Sequence, residues 1–185
     1  MPESTETVPV EAAPTEAVSA DTAPAPSLEA AAAADLERIR AEEAELVFPR
    51  FTRDDAWRLG SRLREVASER SLPVVIGIVV GQQRVFHAAL DGAVPDNDAW
   101  LERKTRAVLH FEQSSLGVGA LFRSLGRVYE AESRLDPTEV AANGGVFPIR
   151  VPGVGVVGAV GVSGLPQVED HAFVVEQLRA FLAAA

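Results

Sequence analysis

The sequence predicts an α+β (α/β class) domain in which helices cover a mainly antiparallel sheet, preceded by an acidic tail. Charge indicates the tail: the net charge of −10 divides into −8 for residues 1–37, which contain eight acids and no lysine or arginine, and −2 for the remainder. The order of the apolar patterns is helix, hairpin, long helix, two or three strands and helix. Because strands and helices do not alternate, this order favours an antiparallel sheet over a doubly wound nucleotide-binding fold.

The tail is predicted to be disordered over residues 1–26, which are Ala, Pro, Glu, Thr and Val with almost no large side chains to bury. Ser27 is a candidate N-cap for a helix at 28–45, whose apolar stripe is thin, so that this helix is either marginal or docked on a neighbour. Pro49 ends it. We therefore expect a tail at 1–45 and a domain at 46–185.

Apolar periodicity and turn residues predict the elements of the domain. Thr52 caps the first helix, Gly81 lies in the turn of the hairpin, and a short strand at 127–131 makes the predicted sheet five-stranded. In chain order we expect a helix from Thr52 to before Pro73, strands at 74–80 and 84–90, a long helix at 96–113 with further helix through Phe122, strands at 127–131, 146–151 and 154–162, and a helix at 168–184.

Composition excludes several functions. The chain has no cysteine, so disulfides, thiolate metal sites and a cysteine nucleophile are ruled out. The nearly neutral domain argues against nucleic acid or a membrane surface as a partner. Its most apolar segment, residues 151–165, is too short and too rich in glycine to span a membrane, and the N-terminus lacks the pattern of a secretory signal. We expect a cytoplasmic protein.

Two weak motifs are rejected. Gly153, Gly155 and Gly158 have the spacing of a dinucleotide fingerprint, but an apolar strand pattern continues past them where that motif needs a helix. The alternation of Val157, Ala159, Gly161 and Ser163 instead predicts one strand face with a small-residue surface that a helix or flat ligand approaches closely. No serine lies in a GxSxG elbow, so a hydrolase triad has no support.

Lys104 is the most informative residue, because the chain contains sixteen arginines and this single lysine. It lies four residues after Trp100 and four before Val108, on the apolar face of the long helix. A lysine at the edge of the apolar stripe or a buried structural ion pair is the commoner use of such a position. The alternative is a contact with a ligand carboxylate or carbonyl, or catalysis by an amine with a lowered pKa.

Histidines and acids give weaker signals. His87 shares a strand face with apolar residues and His171 a helix face, so both are candidates for burial, which is commoner than ligation of a metal or haem. His110 is expected in solvent. The three histidines show no metal-ligand spacing, so we expect no metal site. Glu169 and Asp170 are explained as first-turn acids of the last helix. Only a separation of a few ångströms from another carboxylate or from Lys104 would make this pair a general-acid candidate.

Several segments, in one order, resemble the haem-degrading-domain family, in its small uncharacterised branch, whose relatives include the secreted haem-binding protein and the glycolate-operon protein G. The similarity covers about residues 46–183. It implies a profilin-like fold, with an antiparallel sheet between helices, and homo-oligomers. The matching segments are VFPRF at 47–51, DDAWRLG at 54–60, FHAAL at 86–90, DNDAWLERK at 96–104, GGVFPI at 144–149 and GLPQVEDH at 164–171.

The resemblance implies a binding protein with haem as a candidate cofactor, because some members bind haem. Where similar chains often have histidine before the paired glycines, this chain has Asn143. The leading hypothesis is a homo-oligomer that binds a small anionic or haem-like ligand. The alternatives are an interaction or scaffolding protein and an enzyme that uses Lys104. The candidate ligand-binding residues are Asn97, Trp100, Lys104, His87, Gly144, Gly145 and His171.

Overall fold

The computed structural model describes residues 27–184, so the segment 1–26, predicted to be disordered, lies outside the described residues. The described part of the chain forms six helices and four strands. In chain order they are α1 (Leu28–Glu45), α2 (Arg53–Glu69), β1 (Val75–Val80), β2 (Gln83–Ala89), α3 (Pro95–Phe111), α4 (Ser115–Ser124), α5 (Tyr129–Glu132), β3 (Val146–Val151), β4 (Gly155–Ser163) and α6 (Gln167–Ala183).

The four strands form one sheet in the order β2-β1-β4-β3, and every neighbouring pair is antiparallel. The hairpin β1–β2 lies where the sequence predicts it. A second hairpin joins β3 to β4 through Gly153, whose φ of +75° suits a tight turn. The glycines that mimic a dinucleotide fingerprint therefore belong to a β-hairpin, and the rejection of that motif is confirmed.

Helices cover both faces of the sheet. On one face, α2 and α6 pack against the inward side chains of all four strands and form the largest apolar core, which includes Leu59, Ile76 and Leu178. On the other face, Leu101 and Val108 of α3 pack against β1, β3 and β4. The predicted α+β class with an antiparallel sheet is confirmed.

The prediction of five strands is wrong, because residues 127–131 do not join the sheet. Tyr129–Glu132 is instead a single helical turn, closed by a hydrogen bond of 2.9 Å from the Val128 amide to the Glu132 carboxylate. The Tyr129 ring packs edge-on against Phe111 and Phe122, so its apolar contacts are satisfied away from the sheet.

Helix α1 is docked on the domain. Leu36 and Ile39 are buried against Leu116 and Ala120 of α4. Three polar contacts from the end of α1 extend the docking. The Glu42 carboxylate contacts His171, the Glu43 carboxylate accepts the Ser114 amide, and the Glu45 carboxylate pairs with Arg179. Among the helices of the described part of the chain, none combines the length and the apolar character needed to cross a membrane.

Candidate functional site

The Lys104 side chain is buried beneath α3, with only 2% of the residue exposed. Its ammonium nitrogen donates three hydrogen bonds: to the Gly144 carbonyl at 3.0 Å, to the Val162 carbonyl at 2.9 Å and to the Asp170 carboxylate at 3.0 Å. An ammonium group has three N–H donors. Every donor of Lys104 is therefore used by the protein itself.

Asp170, on α6, is the charged partner of Lys104 and is also 2% exposed. Its second carboxylate oxygen accepts the Leu165 amide at 3.0 Å. Burial lowers the pKa of Lys104, and the charge of Asp170 opposes that shift. Burial likewise raises the pKa of Asp170, opposed by Lys104. The result is a buried ion pair that joins α3 to α6 and to the end of β4.

The paired glycines let the turn before β3 reach Lys104. Gly145 has a φ of +122°, and a Cβ added there would lie 2.6 Å from the Lys104 nitrogen. A Cβ on Gly144 would lie 2.1 Å from the Gln167 carbonyl oxygen. Side chains cannot be accommodated at such distances, so both positions need glycine for the turn to approach the ion pair.

A cleft of about 270 Å³ opens beside the ion pair, between the first half of α3, the turn at 143–145 and the start of α6. Trp100 forms one wall, and the Arg103 guanidinium lies 4.0 Å above its ring. Asn97 also lines the cleft, and its side-chain oxygen accepts the Val94 amide at 2.8 Å at the start of α3. Its amide nitrogen has no hydrogen-bond partner among residues 27–184.

Three further polar residues of the cleft were missed by the sequence reasoning as site residues: Asn143, Ser163 and Gln167. Ser163 is only 4% exposed, and its hydroxyl makes no hydrogen bond within the described residues. The Gln167 oxygen accepts the Gly144 amide at 3.3 Å. The three residues come from separate segments, so no local motif marks them, although the alternation along β4 does place Ser163 on the face turned to α3. The same alternation is wrong for Val157, which packs on the opposite face because the register of β4 shifts between Val156 and Gly158.

The two histidines among the candidate residues lie away from the cleft. His87, on β2, is exposed, so the expectation of its burial is wrong, and its Nε2 lies 2.7 Å from Asp98. His171, on α6, is buried against α1, where its Nε2 lies 3.1 Å from Glu42. It borders a second groove, of about 560 Å³, between α1 and α6. The structure thus gathers Asn97, Trp100, Lys104, Gly144 and Gly145, and leaves His87 and His171 apart.

Over residues 27–184 there is no group of three or more His, Asp or Glu side chains that could hold a metal ion. The chemistry of the cleft is therefore that of a fixed ion pair, an indole wall and neutral hydrogen-bonding groups.

The burial of His171 leads to a prediction about pH. Burial lowers the pKa of this imidazole, opposed by the Glu42 carboxylate. Below pH ~6.5 the imidazole of the unfolded chain therefore binds a proton more readily than that of the folded chain. As the pH falls from this value to the folded pKa, the free energy of unfolding decreases by up to about 1.4 kcal/mol per pH unit. Urea unfolding at pH 7.5 and pH 5 should show that the free energy of unfolding decreases less in His171→Gln than in wild type.

His110 provides the matched control, because it is exposed on α3. His110→Gln should keep the wild-type dependence of stability on pH. If His171→Gln and wild type lose the same free energy of unfolding between the two pH values, the burial of a neutral imidazole contributes nothing to acid sensitivity.

Comparison with known proteins places the chain among its relatives. A UPF0303 protein of Streptomyces coelicolor is 58% identical over 141 residues, which cover 76% of this chain and 89% of the relative. A UPF0303 protein of Rhizobium meliloti is 48% identical over 150 residues, covering 81% and 92%. The crystal structure of the Ybr137w protein is 30% identical, with a TM-score of 0.74, over 80% of this chain and 88% of that one.

More distant structures share the fold. HbpS is 20% identical, with a TM-score of 0.54, over 73% of this chain and 89% of its own. The PduOC–haem complex is 20% identical, with a TM-score of 0.55, over 71% and 94%. The model of the HbpS-like haem-degrading proteins matches residues 51–179. With that match and the identities above, the chain belongs to the HbpS-like haem-degrading protein family.

Proposed function

We propose that this chain is a ligand-binding protein that holds a small molecule in the cleft beside Trp100. The observation that carries the proposal is the contrast between the ion pair and its surroundings. Lys104 and Asp170 are fully used by the fold, whereas the Ser163 hydroxyl and the Asn143 side chain line the cleft and have no partner among the described residues. Polar groups that converge on a cleft and are free of protein partners can orient a bound molecule without any loss of the hydrogen bonds of the fold.

In this proposal Lys104 positions the walls of the cleft and does not contact the ligand. The sequence suggested that the ammonium meets an anionic group. Since its three N–H groups already have acceptors at 2.9–3.0 Å, a ligand carboxylate gains a hydrogen bond only by displacing one of them. The same saturation argues against Lys104 as a general base, which would need a free lone pair facing the substrate. Binding is therefore favoured over catalysis.

Haem does not fit this cleft. None of the residues that line it is a histidine, methionine or tyrosine, and the chain has no cysteine, so an axial ligand is lacking. The cleft volume of about 270 Å³ lies below the ~300–1,000 Å³ typical of pockets that enclose drug-sized ligands. His171 borders the larger groove, but its Nε2 is bonded to Glu42 and its Nδ1 is buried. Because the chain belongs to the HbpS-like haem-degrading protein family, haemin is nevertheless the ligand with which this exclusion is tested.

Homo-oligomerisation and a cytoplasmic location complete the proposal. The open edge of the sheet supports self-association, because β2 has a paired neighbour on one side only. Trp57, which is 66% exposed, packs against Phe86 of that strand. A large exposed aromatic beside an unpaired strand is typical of surfaces that bind another protein.

Native mass spectrometry of protein purified from its own cells tests the proposal. We expect a homo-oligomer that carries a small molecule, and we expect Trp100→Ala to lose that molecule while Val154→Ala, altered in the exposed turn between β3 and β4, retains it. An absorbance titration with haemin gives the second readout. A wild-type protein without any retained molecule favours the scaffolding alternative, and a saturable Soret shift abolished by Trp100→Ala would contradict the exclusion of haem from the cleft.

A further inference from the structure

We infer that the cleft beside Trp100 selects an uncharged ligand that carries both a hydrogen-bond donor and an acceptor on one planar group, as a carboxamide does. The inference rests on the proposed function and adds the chemical class of the ligand. It follows from three features of the cleft: no cation is free, the net charge of the lining is slightly negative, and the uncommitted polar groups are neutral.

Among the described residues, the one cation that lines the cleft is already paired. Lys104 has no spare donor, and its charge is balanced by Asp170 at 3.0 Å. Arg103 is not among the residues that line the cleft: its guanidinium stacks on the Trp100 ring at 4.0 Å and donates to the Ala99 carbonyl at 3.2 Å. An anionic ligand would have to lose its hydration without gaining a cation, and that exchange is unfavourable.

The acids of the lining do not favour a cation either. Asp96, Lys104 and Asp170 are the charged residues of the cleft, so the lining contains two acids and one base. The excess of negative charge in the lining repels an anionic ligand, but it does not attract a cationic one strongly. Asp170 is occupied on both oxygens, and the Asp96 side chain is 70% exposed, where water and salt screen its attraction for a cationic ligand.

The groups that remain are neutral and include both donors and acceptors. The Asn97 and Gln167 amide nitrogens remain as donors, since the oxygens of both side chains already accept backbone amides. Ser163 and Asn143 each offer a donor and an acceptor. A carboxamide presents two N–H donors and one carbonyl acceptor, and so matches this set. Ser163 is the strongest indicator, because it lines the cleft, is 4% exposed and has no partner in the described range.

A series of three probes with the same aromatic ring tests the inference: benzamide is uncharged, benzoate is anionic and benzamidine is cationic. Isothermal titration calorimetry on the full chain should show saturable binding of benzamide, at least tenfold tighter than either charged probe. Ser163→Ala should weaken benzamide at least fivefold. The Ser124 hydroxyl donates to the Leu121 carbonyl within α4, so Ser124→Ala should leave the affinity for benzamide unchanged.

The outcomes separate the inference from the proposed function. Tighter binding of benzoate or benzamidine, with loss in Ser163→Ala, overturns the uncharged class and keeps the cleft as a binding site. Binding of benzamide that Ser163→Ala does not weaken overturns the assignment of the class to this cleft. If none of the probes binds, the molecule retained in native mass spectrometry decides: an ionised molecule overturns the inference, an uncharged one supports it, and no retained molecule overturns the proposed function and the inference with it.

Discussion

Replacing Lys104 with methionine is expected to lower the free energy of unfolding by about 3–5 kcal/mol, the cost typical of breaking a buried ion pair from one side. The substitution keeps an unbranched apolar stem of similar length. It leaves the Asp170 carboxylate, which is 2% exposed, without its counter-ion, and it removes the donor to the carbonyls of Gly144 and Val162. Urea unfolding monitored by circular dichroism measures the loss.

Two matched variants identify the cause of that loss. The double variant Lys104→Met with Asp170→Asn should be more stable than Lys104→Met alone, because no buried charge remains unpaired and the asparagine oxygen still accepts the Leu165 amide. Arg84→Met breaks an exposed ion pair with Glu102 and should cost less than about 1 kcal/mol. If Lys104→Met costs no more than Arg84→Met, the ion pair does not hold the cleft together.

Gly145→Ala is expected to have the second large effect: it should lower the free energy of unfolding by at least about 3 kcal/mol, because it combines backbone strain with disruption of the ion pair. The φ of +122° is strained for any residue with a side chain. The added Cβ would also lie 2.6 Å from the Lys104 nitrogen and 2.6 Å from the Val162 carbonyl oxygen. The methyl group can therefore be accommodated only if the turn moves away from Lys104.

Gly155→Ala is the control, because Gly155 has a φ of +100° and nothing within 4 Å of an added Cβ. Gly155→Ala should lower the free energy of unfolding by the cost of backbone strain alone, about 1–3 kcal/mol. The two variants are compared by urea unfolding and by their affinity for benzamide, which only Gly145→Ala should weaken. Equal stability and equal affinity in the two variants would mean that the close approach to Lys104 has no consequence.

The sequence predicted those parts of the fold that rest on local pattern. The hairpin at β1–β2, the long helix α3 and the final helix α6 follow from apolar periodicity and turn residues over short segments. The short turn at Tyr129–Glu132 was predicted as a strand because its apolar residues favour one locally. Its actual conformation depends on packing against Phe111 and Phe122, which periodicity does not reveal.

From residue patterns alone the site was predictable only on the side of α3, and Gly144 and Gly145 were added by the resemblance to the family. The rarity of lysine and its place on an apolar helix face indicated Lys104, but its partner Asp170 is 66 residues away and is equally well explained as a first-turn acid. The same holds for Ser163 and Asn143, whose neighbours are set by the register of β4 and by the turn before β3. Contacts between distant segments depend on tertiary packing, which a single sequence does not state.

The burial of Lys104 also determines how the chain meets reagents that acylate amines. It is the only lysine in the sequence, and folding removes its nitrogen from solvent. The folded surface over residues 27–184 thus offers arginine guanidinium groups but no lysine amine, so conjugation at lysine proceeds only when the domain opens. The rate at which such a reagent modifies this one side chain therefore reports how often the cleft and its ion pair come apart.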